Sequence, residues 1–101
     1  MELHEPSLST IEERENGLAL VGDFDIFLSG ELEERIRARA SAGGRFAVDL
    51  MRCTYLDSTI LTVLVRAANA YEGQLDVIAP ASGNVARILS ITKLDRYLPL
   101  I

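Results

Sequence analysis

The 101-residue sequence predicts an α/β fold in which a mixed sheet of about four to five strands is packed by about three to four helices. Two observations carry this. Short apolar segments alternate with helical patterns along the chain, and parallel strands need crossover segments of that kind. The composition, 49% apolar and 25% charged, is that of an ordinary globular domain, and no repeat, low-complexity tract or Pro/Gly/Ser-rich linker divides it. Residues 1–101 therefore read as one domain.

The elements follow in order. Leu8 to Glu13 and Leu18 to Gly22 are candidate strands of a hairpin, joined by Glu15-Asn16-Gly17, whose Asn-Gly pair tolerates the positive φ angles of a tight turn. Beyond Phe24-Asp25, Ser29 is placed to cap a helix in which Leu28, Leu32, Ile36 and Ala40 recur every four residues. Glu31, Glu33 and Glu34 lie near its positive end, and Gly43-Gly44 stops it. Phe46, Val48 and Leu50 alternate with Ala47 and Asp49, the period of a strand with one better-buried face. Asp57-Ser58 then opens a helix to about Tyr71, closed by Gly73, and Leu75 to Ala79 forms a strand stopped by Pro80. Ser82 is read as the cap of a last helix carrying Val85, Ile88 and Leu89, before an irregular apolar tail from Tyr97 to Ile101.

Charge and cysteine content narrow the function classes. Net charge is -5 and no cluster of Lys or Arg is placed to neutralise successive phosphates, so direct nucleic-acid binding is not expected. The acidic balance suits steering towards a basic protein partner. Met1 to Thr10 lacks the basic flank and apolar stretch of a signal peptide, and runs such as Ile60 to Val65 fall far short of the roughly 20 residues that span a bilayer. Cys53 is the only cysteine, so no internal disulfide forms. A cytoplasmic protein without a membrane span is the expectation.

Catalytic signatures are missing. The single histidine, His4, sits in a polar N-terminal tail, away from Ser58 and Cys53, so neither nucleophile has a base nearby in sequence. No Gly-rich loop with a following Lys-Ser/Thr and no dinucleotide fingerprint occurs. Cys/His spacing for zinc is absent, and Asp23 with Asp25 is too sparse for a calcium loop. The chain is therefore expected to be neither an enzyme nor a metal or cofactor protein. Cys53 reads as a small buried hydrophobe, and Tyr55 and Leu56 as core residues under the helix that follows.

Asp57-Ser58 is the exception. A side-chain oxygen at a helix start satisfies one of the unpaired amides there, so the pair is first of all a cap. The same position tolerates a phosphoserine, because the positive helix end favours the added charge of about -2. Projected at about 100° per residue, the helix puts Thr59, Thr62, Arg66 and Asn69 on one polar arc. Leu61, Leu64, Val65 and Ala68 lie opposite, Ile60, Ala67 and Tyr71 widen the apolar arc, and Val63 stands at its border. This is more apolar surface than one buried face requires.

Taken together, Val48-Asp49-Leu50, Tyr55-Leu56-Asp57-Ser58-Thr59 and Leu61 resemble the signature of STAS domains, the family that includes anti-sigma factor antagonists. Gly22-Asp23-Phe24-Asp25 before the first helix, Ser82-Gly83-Asn84-Val85 and Leu94-Asp95-Arg96 extend the resemblance over nearly the whole chain. The resemblance implies a STAS-like domain that binds an anti-sigma factor with kinase activity and is switched off when that kinase phosphorylates Ser58, with Thr59 as the secondary acceptor. It also implies a serine phosphatase that restores the active form. The implied partner surface comprises Asp23, Asp25, Asp57, Ser58 and Thr59 and continues along the helix through Thr62, Val63 and Arg66. Two departures stand out: Ile60 replaces the family's usual glycine, and the sequence ends at Ile101 where many relatives continue into a further helix, which leaves a homodimer face open. A non-phosphorylated scaffold or complex subunit and a small-ligand or nucleotide sensor are the competing functions.

Overall fold

The structure, a computed structural model, describes residues 9–101. His4 and the expected strand start at Leu8 lie outside them. Five strands and three α-helices run in the order β1 (Thr10–Arg14), β2 (Gly17–Phe24), α1 (Ser29–Ala42), β3 (Phe46–Asp49), β4 (Cys53–Leu56), α2 (Ser58–Ala70), β5 (Leu75–Ile78) and α3 (Asn84–Ile91). One-turn 3-10 helices, Ile26–Leu28 and Leu94–Arg96, precede α1 and follow α3. The expected mixed sheet and helical cover are both present.

The sheet is organised around β2. β1 pairs with it antiparallel across the two-residue loop Glu15-Asn16, from Thr10↔Val21 to Arg14↔Gly17. On parallel register, β3 pairs with Gly17–Ala19 and β4 with Gly22–Phe24, so the two short strands follow one another along β2. β5 adds parallel to β3. The expected turn chemistry needs one correction: among the described residues only Lys93 and glycines have positive φ, so Asn16 does not, and the unusual dihedral falls on Gly17 at φ 150°. A Cβ there would lie 1.9 Å from the Ala47 carbonyl oxygen, so β2 and β3 approach as closely as they do because this residue has no side chain.

Alternation along the strands divides the sheet's faces. Leu18, Leu20, Phe46, Val48, Leu75 and Val77 are buried, whereas Ala47, Asp49, Asp76 and Ile78 are half-exposed. The buried set joins Leu32 and Ile36 of α1, Ile60, Leu61, Leu64 and Ala67 of α2, and Val85 and Leu89 of α3 in the core cluster. α1 is also fixed to the hairpin by charge. Arg35 and Arg39 reach Glu13 at 2.9 and 3.3 Å, and Arg39 donates to the carbonyls of Arg14, Glu15 and Gly17. Exposed pairs of this kind contribute only about 0.2–1 kcal/mol each, so packing of Leu32 and Ile36 holds the helix and the arginines orient it.

Several local expectations change. Cys53–Leu56 is a strand, not only a lead into the helix, and its Tyr55 is 42% exposed instead of packed in the core. Ser29 is the first residue of α1, not its cap; its hydroxyl donates to the Ile26 carbonyl at 2.7 Å. Asp25 instead caps the preceding 3-10 turn by accepting from the Phe27 amide. Ser82 does not cap α3, whose N-cap is Gly83 without a side-chain bond. The tail is better ordered than expected: Leu98 is buried, and Val77 donates to the Pro99 carbonyl while accepting from the Ile101 amide. Cys53 is buried as expected, and desolvation pushes its thiol up to about 11, which makes it unreactive near neutral pH.

Gly17→Ala is expected to destabilise the protein by about 2 kcal/mol or more, since the added methyl meets backbone that cannot give way. Urea unfolding checks this, and a loss under about 0.5 kcal/mol would show that the β2–β3 approach is not set by this residue.

Candidate functional site

The site lies at the C-terminal ends of the parallel strands β2 and β4, where backbone amides at the start of α2 are left without helical partners. Asp57 is the N-cap, with extended dihedrals. Its Oδ1 accepts from the Thr59 amide at 3.0 Å, from the Ile60 amide at 3.1 Å and from the Thr59 hydroxyl. Its own amide donates to the Phe24 carbonyl at 3.1 Å, which joins the start of α2 to the end of β2. Partial desolvation pushes the Asp57 carboxyl up, but the bonds from the Thr59 hydroxyl and from the Ile60, Thr59 and Ile26 amides outweigh it. The carboxyl therefore titrates below its ordinary 3.8.

Ser58, the first helical residue, is exposed, and its hydroxyl makes no hydrogen bond among the described residues. Its carbonyl accepts from the Thr62 hydroxyl at 2.9 Å. The cap is thus assembled from Asp57 and Thr59, and the Ser58 hydroxyl is left out of it. Thr59 is half-buried with its hydroxyl committed to Asp57.

The structure groups the remaining predicted residues unevenly. Ser58, Thr62 and Arg66 line one groove of about 320 Å³ floored by Leu61, Val65 and Leu94. Val63 is on the other flank of α2, in a furrow of about 90 Å³ against Ile36 of α1, and Arg66 borders both hollows. Asp23 is exposed beside β4, where its carboxylate accepts from the Thr54 hydroxyl and its carbonyl from the Ser9 hydroxyl. Asp25 is occupied as a turn cap. The surplus apolar surface of α2 is accordingly small: Ile60, Leu61, Leu64 and Ala67 are buried, and Val63, Val65, Ala68 and Tyr71 pack partly against the core.

Ile60 is fully buried. The side chain that departs from the usual glycine fills the core and does not stand between Ser58 and an approaching chain. Sequence reasoning missed Ile26 and Phe27, which project beside the helix start, exposed by 56% and 89%. The available signal was Asp25 two residues before Phe27, the spacing of an Asx turn, which interrupts the helical run before Ser29.

A family model described as "Mlab, STAS domain" matches residues 9–101, and the chain belongs to the STAS domain family. The fold is shared with the crystal structure of an anti-sigma factor antagonist from Mycobacterium paratuberculosis, at a TM-score of 0.74 and 24% sequence identity, covering 97% of this chain and 89% of that one. No curated protein matches in sequence.

Two outcomes test this geometry. Asp57→Ala is expected to cost about 1 kcal/mol, the usual value of an N-cap. Because the folded-state carboxyl titrates below its ordinary 3.8, the wild-type advantage is fully present above that pH and is lost as pH falls through the lower folded value. Unfolding curves of both proteins across the acid range check the sign; a gap that widens in acid contradicts it. Ile60→Gly is expected to lose about 3–5 kcal/mol from the cavity and the helix-interior glycine combined. A loss below about 1 kcal/mol would refute the assignment of Ile60 to the core.

Proposed function

We propose that the protein is an anti-sigma factor antagonist that binds a kinase-type anti-sigma factor and is switched off by phosphorylation of Ser58. The observation that supports this most directly is the division of labour at the start of α2. Asp57 and Thr59 make the cap, while the adjacent Ser58 hydroxyl is exposed and free of hydrogen bonds among the described residues. A phosphoryl group there adds about -2 charge and three acceptor oxygens at the favourable end of the helix dipole, so the core keeps its packing while the outer face becomes more negative. The change is read by whatever binds that face.

In this reading the partner surface runs from Asp23, Asp25 and Asp57 through Ser58 and Thr59 to Thr62 and Arg66, with Val63 on its far flank. Phe27 supplies an exposed aromatic side chain next to the switch, a residue type enriched at the cores of protein interfaces. The protein is the substrate of the phosphoryl transfer, the anti-sigma factor brings the ATP, and a serine phosphatase reverses the step in the cytoplasm. Burial of Ile60 removes the steric argument for a constitutive scaffold.

Incubation with a kinase-type anti-sigma factor from the same cell and ATP is expected to place one phosphate on Ser58, located by peptide mass spectrometry. Ser58→Asp is expected to weaken that partner's binding by more than about ten-fold, and Ser58→Ala to bind without being switched. Absence of phosphate from Ser58, together with equal binding by both variants, would sink the proposal.

A further inference from the structure

Of the ten Lys and Arg side chains, Arg14, Arg35, Arg37, Arg39, Arg45 and Arg52 form ion pairs. Arg66, Arg87, Lys93 and Arg96 form none among the described residues. Three of these four fall between Asn84 and Ile101, where Asp95 is the only acid, in a chain whose net charge is -5. The same stretch exposes Ile91, Tyr97 and Ile101 by 71%, 70% and 72%. Around the turn Leu94–Arg96, Leu98 is buried and Leu94 packs against the core, while Lys93, Arg96 and Tyr97 are exposed.

We propose that the surface formed by α3, the Leu94–Arg96 turn and the tail is a peripheral docking surface for an anionic lipid bilayer. The pattern is that of an interfacial contact: apolar side chains and a tyrosine that enter the headgroup region, with arginine and lysine ends that reach the phosphates around them. Charge selects this occupant over a second copy, because two copies of a surface that carries Arg87, Lys93 and Arg96 against Asp95 repel one another when brought face to face. The acidic remainder of the chain adds orientation, since an anionic surface repels it and attracts only this end. Among the described residues no helix is long and apolar enough to cross a membrane, so the contact is one of adsorption. Ser58 takes no part in it, and its failure would leave the antagonist reading untouched.

Sedimentation of the full chain with extruded phosphatidylcholine vesicles, with and without about 30% phosphatidylglycerol, tests the proposal at low and physiological salt. Binding is expected to the anionic vesicles only, and to weaken as salt rises. Lys93→Gln with Arg96→Gln is expected to reduce it by about twenty-five-fold, taking roughly five-fold per charge, and Tyr97→Ser with Ile101→Ser is expected to reduce it independently. Circular dichroism of each variant verifies that it is folded. Equal binding to uncharged vesicles, no binding at low salt, or unchanged binding by both folded variants would overturn the proposal. So would self-association of the protein alone that Tyr97→Ser with Ile101→Ser abolishes, which would assign the surface to a second copy.

Discussion

The Asp57 carboxylate is the joint on which this end of the molecule depends. One oxygen gathers the Thr59 and Ile60 amides and the Thr59 hydroxyl, and the amide of the same residue is bound to the end of β2 through the Phe24 carbonyl. The Ile26 amide also faces this carboxylate. Strand end, 3-10 turn and helix start are therefore positioned by a single side chain and its own backbone. A charged acceptor is suited to this, because bonds to an ionised group are stronger than neutral ones and the dipole of α2 adds to them. The arrangement also separates support from access: the residue that organises the site is not the one whose hydroxyl is left exposed.

That separation explains how a buried isoleucine and an exposed serine can be neighbours on α2. Ser58 and Ile60 are two positions apart on α2, yet one is exposed and the other fully buried, because a helix turns by about 200° between them. What Ile60 adds is packing against a sheet whose inner face is already lined by Leu18, Leu20 and Val48. The outer face of α2 keeps Ser58, Thr62 and Arg66 on the rim of one groove.

Legibility in the sequence followed the strength of local signals. α1, α2, β3 and β5 were readable because their apolar periods are regular and because Gly43, Gly73 and Pro80 punctuate them. β4 was not, since its burial runs buried, exposed, exposed, buried and thus breaks the alternation that marks a strand. Its pairing with β2 shifts register between Gly22 and Asp23, a tertiary irregularity with no sequence period. The Ile26–Leu28 turn has no such signal, because Leu28 fits the four-residue repeat of Leu32 and Ile36 and Ser29 has the residue type of a helix cap, although Asp25 bends the backbone before them. At the site, the Asp57 cap followed from residue type alone. The separation of Val63 from Ser58 did not, because Val63 stands at the border of the apolar arc and only the packing of α1 decides which side it joins.

The tail's bridge to β5 bears on how the protein meets others. With Val77 bonded to Pro99 and Ile101, the outer margin of β5 is occupied by the chain's own backbone, and at the opposite margin β1 presents Glu12, Glu13 and Arg14. Among the described residues, neither of these margins offers a bare, uncharged row of amides and carbonyls for strand addition. Among the described residues these two margins favour contacts made through side chains on helices and turns, and contacts of that kind can be released without unzipping a ladder.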